Sequence, residues 1–129
     1  MGGALWRDIA LISAGAIAGA NLRFLVNRLA VKYLSASVPY GTLIVNVTGS
    51  FVLGFFMAWT VERVLANPQW RPLIAIGFCG AYTTYSSYGF ETVTLLQQGH
   101  YGLAGVNFLA NNLLVLIAVT AGIALARAL

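Results

Sequence analysis

Four apolar runs, at residues 9–29, 41–61, 73–96 and 103–125, leave this chain little choice of solvent. A membrane-crossing helix needs about 20 mostly apolar residues, so four of them with short links account for nearly all of the 129 residues. Charged residues make up 8% of the chain, against about 25% in an ordinary soluble domain. The expectation is an all-α membrane protein: one domain, residues 1–129, folded as a compact up-down bundle of four transmembrane helices surrounded by lipid.

The links support the same division. "KYLSASVPY" contains Pro39, which disfavours helix at Val38; "ERVLANPQWRP" carries charges and two prolines; "QQGHYG" reads as a tight polar turn. Trp6, Trp59, Trp70, Tyr33, Tyr40 and Tyr101 fall near span ends, as an aromatic belt does. Arg7 precedes the first run without a cleavage site after it, so that run reads as a retained span. The net charge of +4 comes from residues scattered at span ends, with no basic run, which argues against nucleic acid. Cys79 is the single cysteine, so no intrachain disulfide forms, and its apolar setting suits a small packing residue.

Arg7, Arg63, Arg71 and Arg127 fall on one side of the membrane. Arg28 and Lys32 fall on the other, joined by Arg23 if it lies shallow. Orientation follows a clear Lys/Arg excess, and this bias is weak. Two readings stay open: a chain that inserts both ways up and pairs as an antiparallel dimer, or one oriented by other cues.

Polar groups inside the apolar runs carry the functional signal. Gly15 and Gly19, four apart, suit close helix packing. Arg23 either snorkels or sits as a fixed positive charge in a vestibule. Asn46, Gly49, Ser50, Leu53, Gly54 and Met57 share one helix face, which is either a helix seam or the wall of a polar pathway. Asn107 and Asn111 share another face, with Asn112 beside them. In the third run, Gly77, Gly80, Thr83 and Thr84 weaken the helix, and an interruption is expected near residues 80–84. Interrupted spans commonly bind ions. Beyond it, Tyr82, Tyr85 and Tyr88 recur every three residues, as a packing face or as a set of ring edges and hydroxyls facing an anion. Glu91 is the one acid within a run, placed to neutralise Arg23, to hydrogen-bond near an interface or to relay protons. A lining rich in donors and poor in acids favours an anion over a cation.

At this point the motifs take on a family character. "GTLIVNVTGSFVLGF" (41–55), "GFCGAYTTYSSYGFET" (77–92) and "GAIAGANLRF" (15–24) together resemble the Fluc, or CrcB, family of fluoride channels. The resemblance implies an antiparallel, dual-topology homodimer in a bacterial-type plasma (inner) membrane. It implies two fluoride pathways along the subunit interface, passive conduction that relieves fluoride toxicity, and a central structural sodium ion. By matching positions, Gly80 and Thr83 supply the sodium carbonyls. Asn46, Tyr85, Tyr88, Ser86, Ser87 and Asn111 line the fluoride pathway, and Arg23 and Glu91 belong to the vestibule. One turn beyond Asn111 the polar track meets Val115 and is shortened. Tyr85 and Tyr88 stand where the family usually has phenylalanine; ring edges persist, and the added hydroxyls either donate to fluoride or hold water. Phe90 lies near this box without occupying it.

Two other classes compete. A small drug–proton antiporter of the small multidrug resistance type needs an acid within span 1, where this chain has none beyond Asp8. A non-transporting assembly subunit would use the same Gly and Asn contacts and carry no ion. For an enzyme there is no nucleophile–base pair or metal cluster, and His100 is an isolated turn residue.

Overall fold

The structure, a computed structural model, describes residues 2–62 and 67–129, with Glu62 described in its backbone only; Arg63 lies outside the described residues. Among these, every regular element is helical. α1 covers Gly2–Tyr33 and α2 Tyr40–Glu62; a π-helix, Arg71–Cys79, runs directly into the single turn α3, Gly80–Tyr82; α4 covers Tyr85–Gln97 and α5 Tyr101–Ala128. Three of them, α1, α2 and α5, are long and apolar enough to cross a membrane.

The molecule is apolar outside and small or polar inside. Ile17, Phe24, Leu116 and Ile117 are exposed, whereas the most deeply buried side chains are Val45, Thr42 and Cys79. Such a continuous apolar surface is far larger than a water-soluble monomer tolerates; hydrocarbon satisfies it. All six belt aromatics named above are exposed, at or near helix ends.

Without a hydrophobic drive between helices in lipid, packing depends on close backbone approach. Gly15 and Gly19 of α1 lie against the π-helix so tightly that a Cβ at either would strike the backbone of Leu73 or Phe78, and Gly77 returns the contact against Ile12. The α2–α5 crossing is built the same way: a Cβ on Gly54 would meet the Val119 backbone, and one on Gly122 the backbone of Phe51. Gly49 leaves room for the side chains of Tyr82 and Thr83.

The connections follow local chemistry. α1 ends where Leu34 and Ser35 donate to the Ala30 carbonyl, 2.9 and 3.3 Å, and α2 starts directly after Pro39. Asn67 forms an Asx turn, its Oδ1 accepting the Gln69 N–H at 3.0 Å, and Pro72 occupies the first turn of the π-helix, where a missing N–H costs nothing. Gly99, with φ +77°, closes α4: its N–H bonds Leu96 O and the His100 N–H bonds Leu95 O, 3.0 and 2.9 Å, a Schellman turn that needs a left-handed residue.

Two extended residues separate α3 from α4: Thr83 (φ −82°, ψ 159°) and Thr84 (φ −152°, ψ 116°). The i→i+5 winding of Arg71–Cys79 has no counterpart in the sequence pattern, which reads as ordinary helix.

Candidate functional site

The chain between α3 and α4 is held in place by one side chain of α2. Thr83 ends the turn by giving both its N–H (3.0 Å) and its hydroxyl (2.9 Å) to the Cys79 carbonyl. In a continuous helix the Thr84 N–H would go to the Gly80 carbonyl. It goes instead to Asn46 Oδ1 at 2.8 Å, while Asn46 Nδ2 donates back to the Thr84 carbonyl at 3.0 Å. Asn46 therefore satisfies both backbone groups of an extended residue, as a neighbouring strand would. The Thr84 donor fixes which end of the amide is oxygen.

From Asn46 an amide chain runs through α5. Its second N–H goes to Asn111 Oδ1 (3.0 Å), and Asn111 Nδ2 donates to the backbone and side-chain oxygens of Asn107, 3.1 Å each. Asn107 Nδ2 donates to Thr92 Oγ1 (2.9 Å), returning the chain to α4, where Thr92 donates to the Tyr88 carbonyl one turn back (2.8 Å). Asn46, Asn107 and Asn111 are all buried. Unpaired, such amides would each cost roughly 1–3 kcal/mol; here the donors of Asn46 and Asn111 are fully used within the protein.

Thr84 also caps α4: its hydroxyl accepts from the Ser87 N–H (3.2 Å) and donates to the Ser87 hydroxyl (3.0 Å). The interruption thus brings the carbonyl end of α3 next to the N–H end of α4. Free carbonyls at a helix end suit a cation, and free N–H groups suit an anion.

Beside it lies a cleft of about 280 Å³ walled by Asn46, Ser50, Tyr85, Tyr88, Asn111 and Asn112, among others. The rings of Tyr85 and Tyr88 meet edge to face, centroids 5.3 Å apart at 60°. Tyr88 is 5% exposed and Tyr85 82%. Asn112 donates to the Tyr88 hydroxyl at 2.9 Å and to the Phe108 carbonyl at 2.7 Å. Val115, where the polar track was expected to shorten, is an apolar part of the same wall.

The structure therefore brings Asn46, Tyr85, Tyr88, Asn111 and Thr83 to one cleft. Gly80 is exposed and does not wall the cleft. Ser86 and Ser87 cluster about the Thr84 hydroxyl rather than walling the cleft. Arg23 reaches the interruption without walling the cleft, Glu91 is placed elsewhere, and the suggested neutralisation of one by the other is not made. Arg23 Nη1 donates to the Thr83 carbonyl at 3.4 Å. Glu91 Oε1 accepts from Thr42 at 2.6 Å while its Oε2 is buried without a partner. Glu91 lies on a second cleft of about 490 Å³, near the α1–α2 connection.

Three residues at these sites have contacts that their spacing in the sequence did not give. Thr84 was seen only as a weak helix former. Thr42 lies four before Asn46 on the same α2 face, a spacing that could have flagged it. Asn112 lies one residue off the Asn107–Asn111 face, and nothing in its spacing points to Tyr88.

An all-helical body with an apolar exterior, and a donor-lined cleft where a helix gives way to extended backbone, defines an integral membrane protein with a polar site in its interior. The chain belongs to the CrcB family: the family model described as CrcB-like protein, Camphor Resistance (CrcB), matches residues 10–123. It is 51% identical over 123 residues to the fluoride-specific ion channel FluC of Koribacter versatilis (strain Ellin345), covering 95% of this chain and 98% of that one. It is 44% identical over 119 residues to the protein of the same name from Sulfurihydrogenibium sp. (strain YO3AOP1), covering 92% and 96%. A third of that name, from Trichormus variabilis (strain ATCC 29413 / PCC 7937), is 43% identical over 117 residues, covering 90% and 85%.

Proposed function

We propose that this protein is a fluoride channel that lets fluoride leave the cell passively, through the inner membrane of a bacterial-type cell, as an antiparallel homodimer with two pathways. The observation that carries this reading is the interruption at Thr83–Thr84, with donors and ring edges gathered beside it, in a chain that matches proteins named as fluoride-specific channels along almost its whole length. Neither half of the interrupted segment crosses a bilayer alone: α4, at 13 residues, is about 20 Å long against a core of about 30 Å. Together, residues 71–97 make the fourth crossing and put the interruption near mid-membrane. α1 has no acid beyond Asp8, which bonds its neighbour Arg7, so the proton-coupled exporter lacks its central group.

The test is flux. Purified protein in liposomes is expected to dissipate a fluoride gradient, read with a fluoride electrode, and to pass little chloride. Equal chloride flux would remove the selectivity, and absence of fluoride flux would remove the function.

The residues at the interruption fit the structural sodium ion that the family resemblance implies. With the Thr84 N–H committed to Asn46, the Gly80 carbonyl loses its usual helical partner, and the Thr83 carbonyl lies outside the helical ladder with a lone pair beyond the Arg23 contact. Carbonyl oxygens suit a hard cation. One chain offers two of them, so a second copy facing the same point would complete a set of four. Bound there, the ion would supply fixed positive charge between the two pathways. Thr83→Pro removes the N–H that closes on Cys79 and pushes residue 82 away from helix. It is expected to lose the dimer, measured by light scattering in detergent. A dimer of normal stability would count against the shared site.

A further inference from the structure

We infer that the anion-binding donor of the cleft is the Tyr88 hydroxyl, aimed by Asn112, and that the cleft's amides serve as scaffold. This deepens the proposed function and rests on it.

The argument starts from which donors remain uncommitted. Asn46 spends its two N–H groups on Thr84 and Asn111, Asn111 both of its own on Asn107, and Asn112 both on Tyr88 and Phe108. The amides that wall the cleft have nothing left to give. The Tyr88 hydroxyl is different. Its oxygen accepts from Asn112 at 2.9 Å, so that side is taken by a donor and the phenolic proton must point elsewhere. Among the described residues none accepts the Tyr88 proton, and Tyr88, 5% exposed, walls the cleft, which leaves a ligand in that cleft as its acceptor. Accepting a hydrogen bond also polarises the O–H and makes it a better donor. Tyr85 lacks this aim: its only described interaction is the ring contact with Tyr88, and it faces outward, 82% exposed.

The ligand is a small anion of high charge density. Fluoride accepts a hydrogen bond more strongly than chloride does, so one aimed O–H raises the preference for fluoride, whereas ring edges discriminate less. Asn112 is a positioning residue, since it acts through the phenol.

The experiment is a double-mutant cycle read as the fluoride-to-chloride permeability ratio from reversal potentials in planar bilayers, with Tyr88→Phe, Asn112→Ala and the pair. Tyr88→Phe deletes one oxygen and keeps the ring; it is expected to lower the ratio about tenfold, or ~1.4 kcal/mol. Asn112→Ala is expected to lower it severalfold in the wild type and to change nothing further in Tyr88→Phe, because its effect passes through the missing hydroxyl. Asn112→Gln, which can still donate, is expected to recover part of the loss. An unchanged ratio in Tyr88→Phe would overturn the inference, as would an Asn112→Ala effect of equal size in both backgrounds. If the wild type passes no fluoride, the proposed function falls and takes this assignment with it. If the wild type is selective and the cycle is additive, only the assignment falls.

Discussion

Asn46→Asp is expected to reduce fluoride flux to the level of protein-free vesicles, a fall of about a hundredfold or more. The carboxylate still accepts from the Thr84 N–H, so one of the three bonds survives. The two donors disappear, and the Thr84 carbonyl and Asn111 Oδ1 are left facing negative oxygen in a buried place. Asn111 Oδ1, left as an unsatisfied buried acceptor, costs roughly 1–3 kcal/mol, and the charge repels an anion as well. Asn46→Leu separates the two effects. It adds no charge, yet it strips the extended residue of its partner, and its flux is expected to fall nearly as far. A wild-type rate in Asn46→Leu would show that Thr84 holds its conformation without Asn46.

The second large effect concerns packing. Gly15→Ala adds one methyl group where the backbones of α1 and the π-helix already touch; the atom it meets first is the Leu73 carbonyl oxygen, which no rotamer change can move. The helices must separate, and overpacking of this kind costs ~1–3 kcal/mol. The expected result is a clear drop in unfolding temperature in detergent and a smaller yield of folded protein. Gly102→Ala is the control: a Cβ there meets nothing within 4 Å, and alanine favours helix, so its stability is expected to hold or rise. Equal behaviour of the two variants would remove close backbone approach as the basis of the α1 contact.

The sequence was most informative where one residue type permits only one local outcome. Gly15 and Gly19 at helical spacing pointed to close approach, and the structure has it. Gly99 in a polar turn pointed to a chain reversal, and it takes the positive φ of a Schellman turn. Glycine and threonine at 80–84 pointed to weak helix, and Thr83 and Thr84 are extended. What spacing could not supply was partners. Asn46 was placed on the right face, but only tertiary position decides that its amide faces the backbone of Thr84 rather than open space. Arg23 was read as a snorkelling residue or a vestibule charge, and spacing gave no sign that it would reach the Thr83 carbonyl at the interruption. Asn112 was seen beside Asn107 and Asn111, but its spacing does not point to the Tyr88 hydroxyl that it meets. The π-winding of Arg71–Cys79 left no mark, since its composition is that of any apolar helix.

The amide chain that leaves Thr84 and rejoins α4 at Thr92 is a closed circuit through α2 and α5. It tethers α4 at its N-cap and again about two turns later, to two different neighbours. A piston or screw displacement of α4 would have to break bonds on both sides together. A cleft framed this way has no cheap sliding motion, so a change in its shape falls to side-chain rotation.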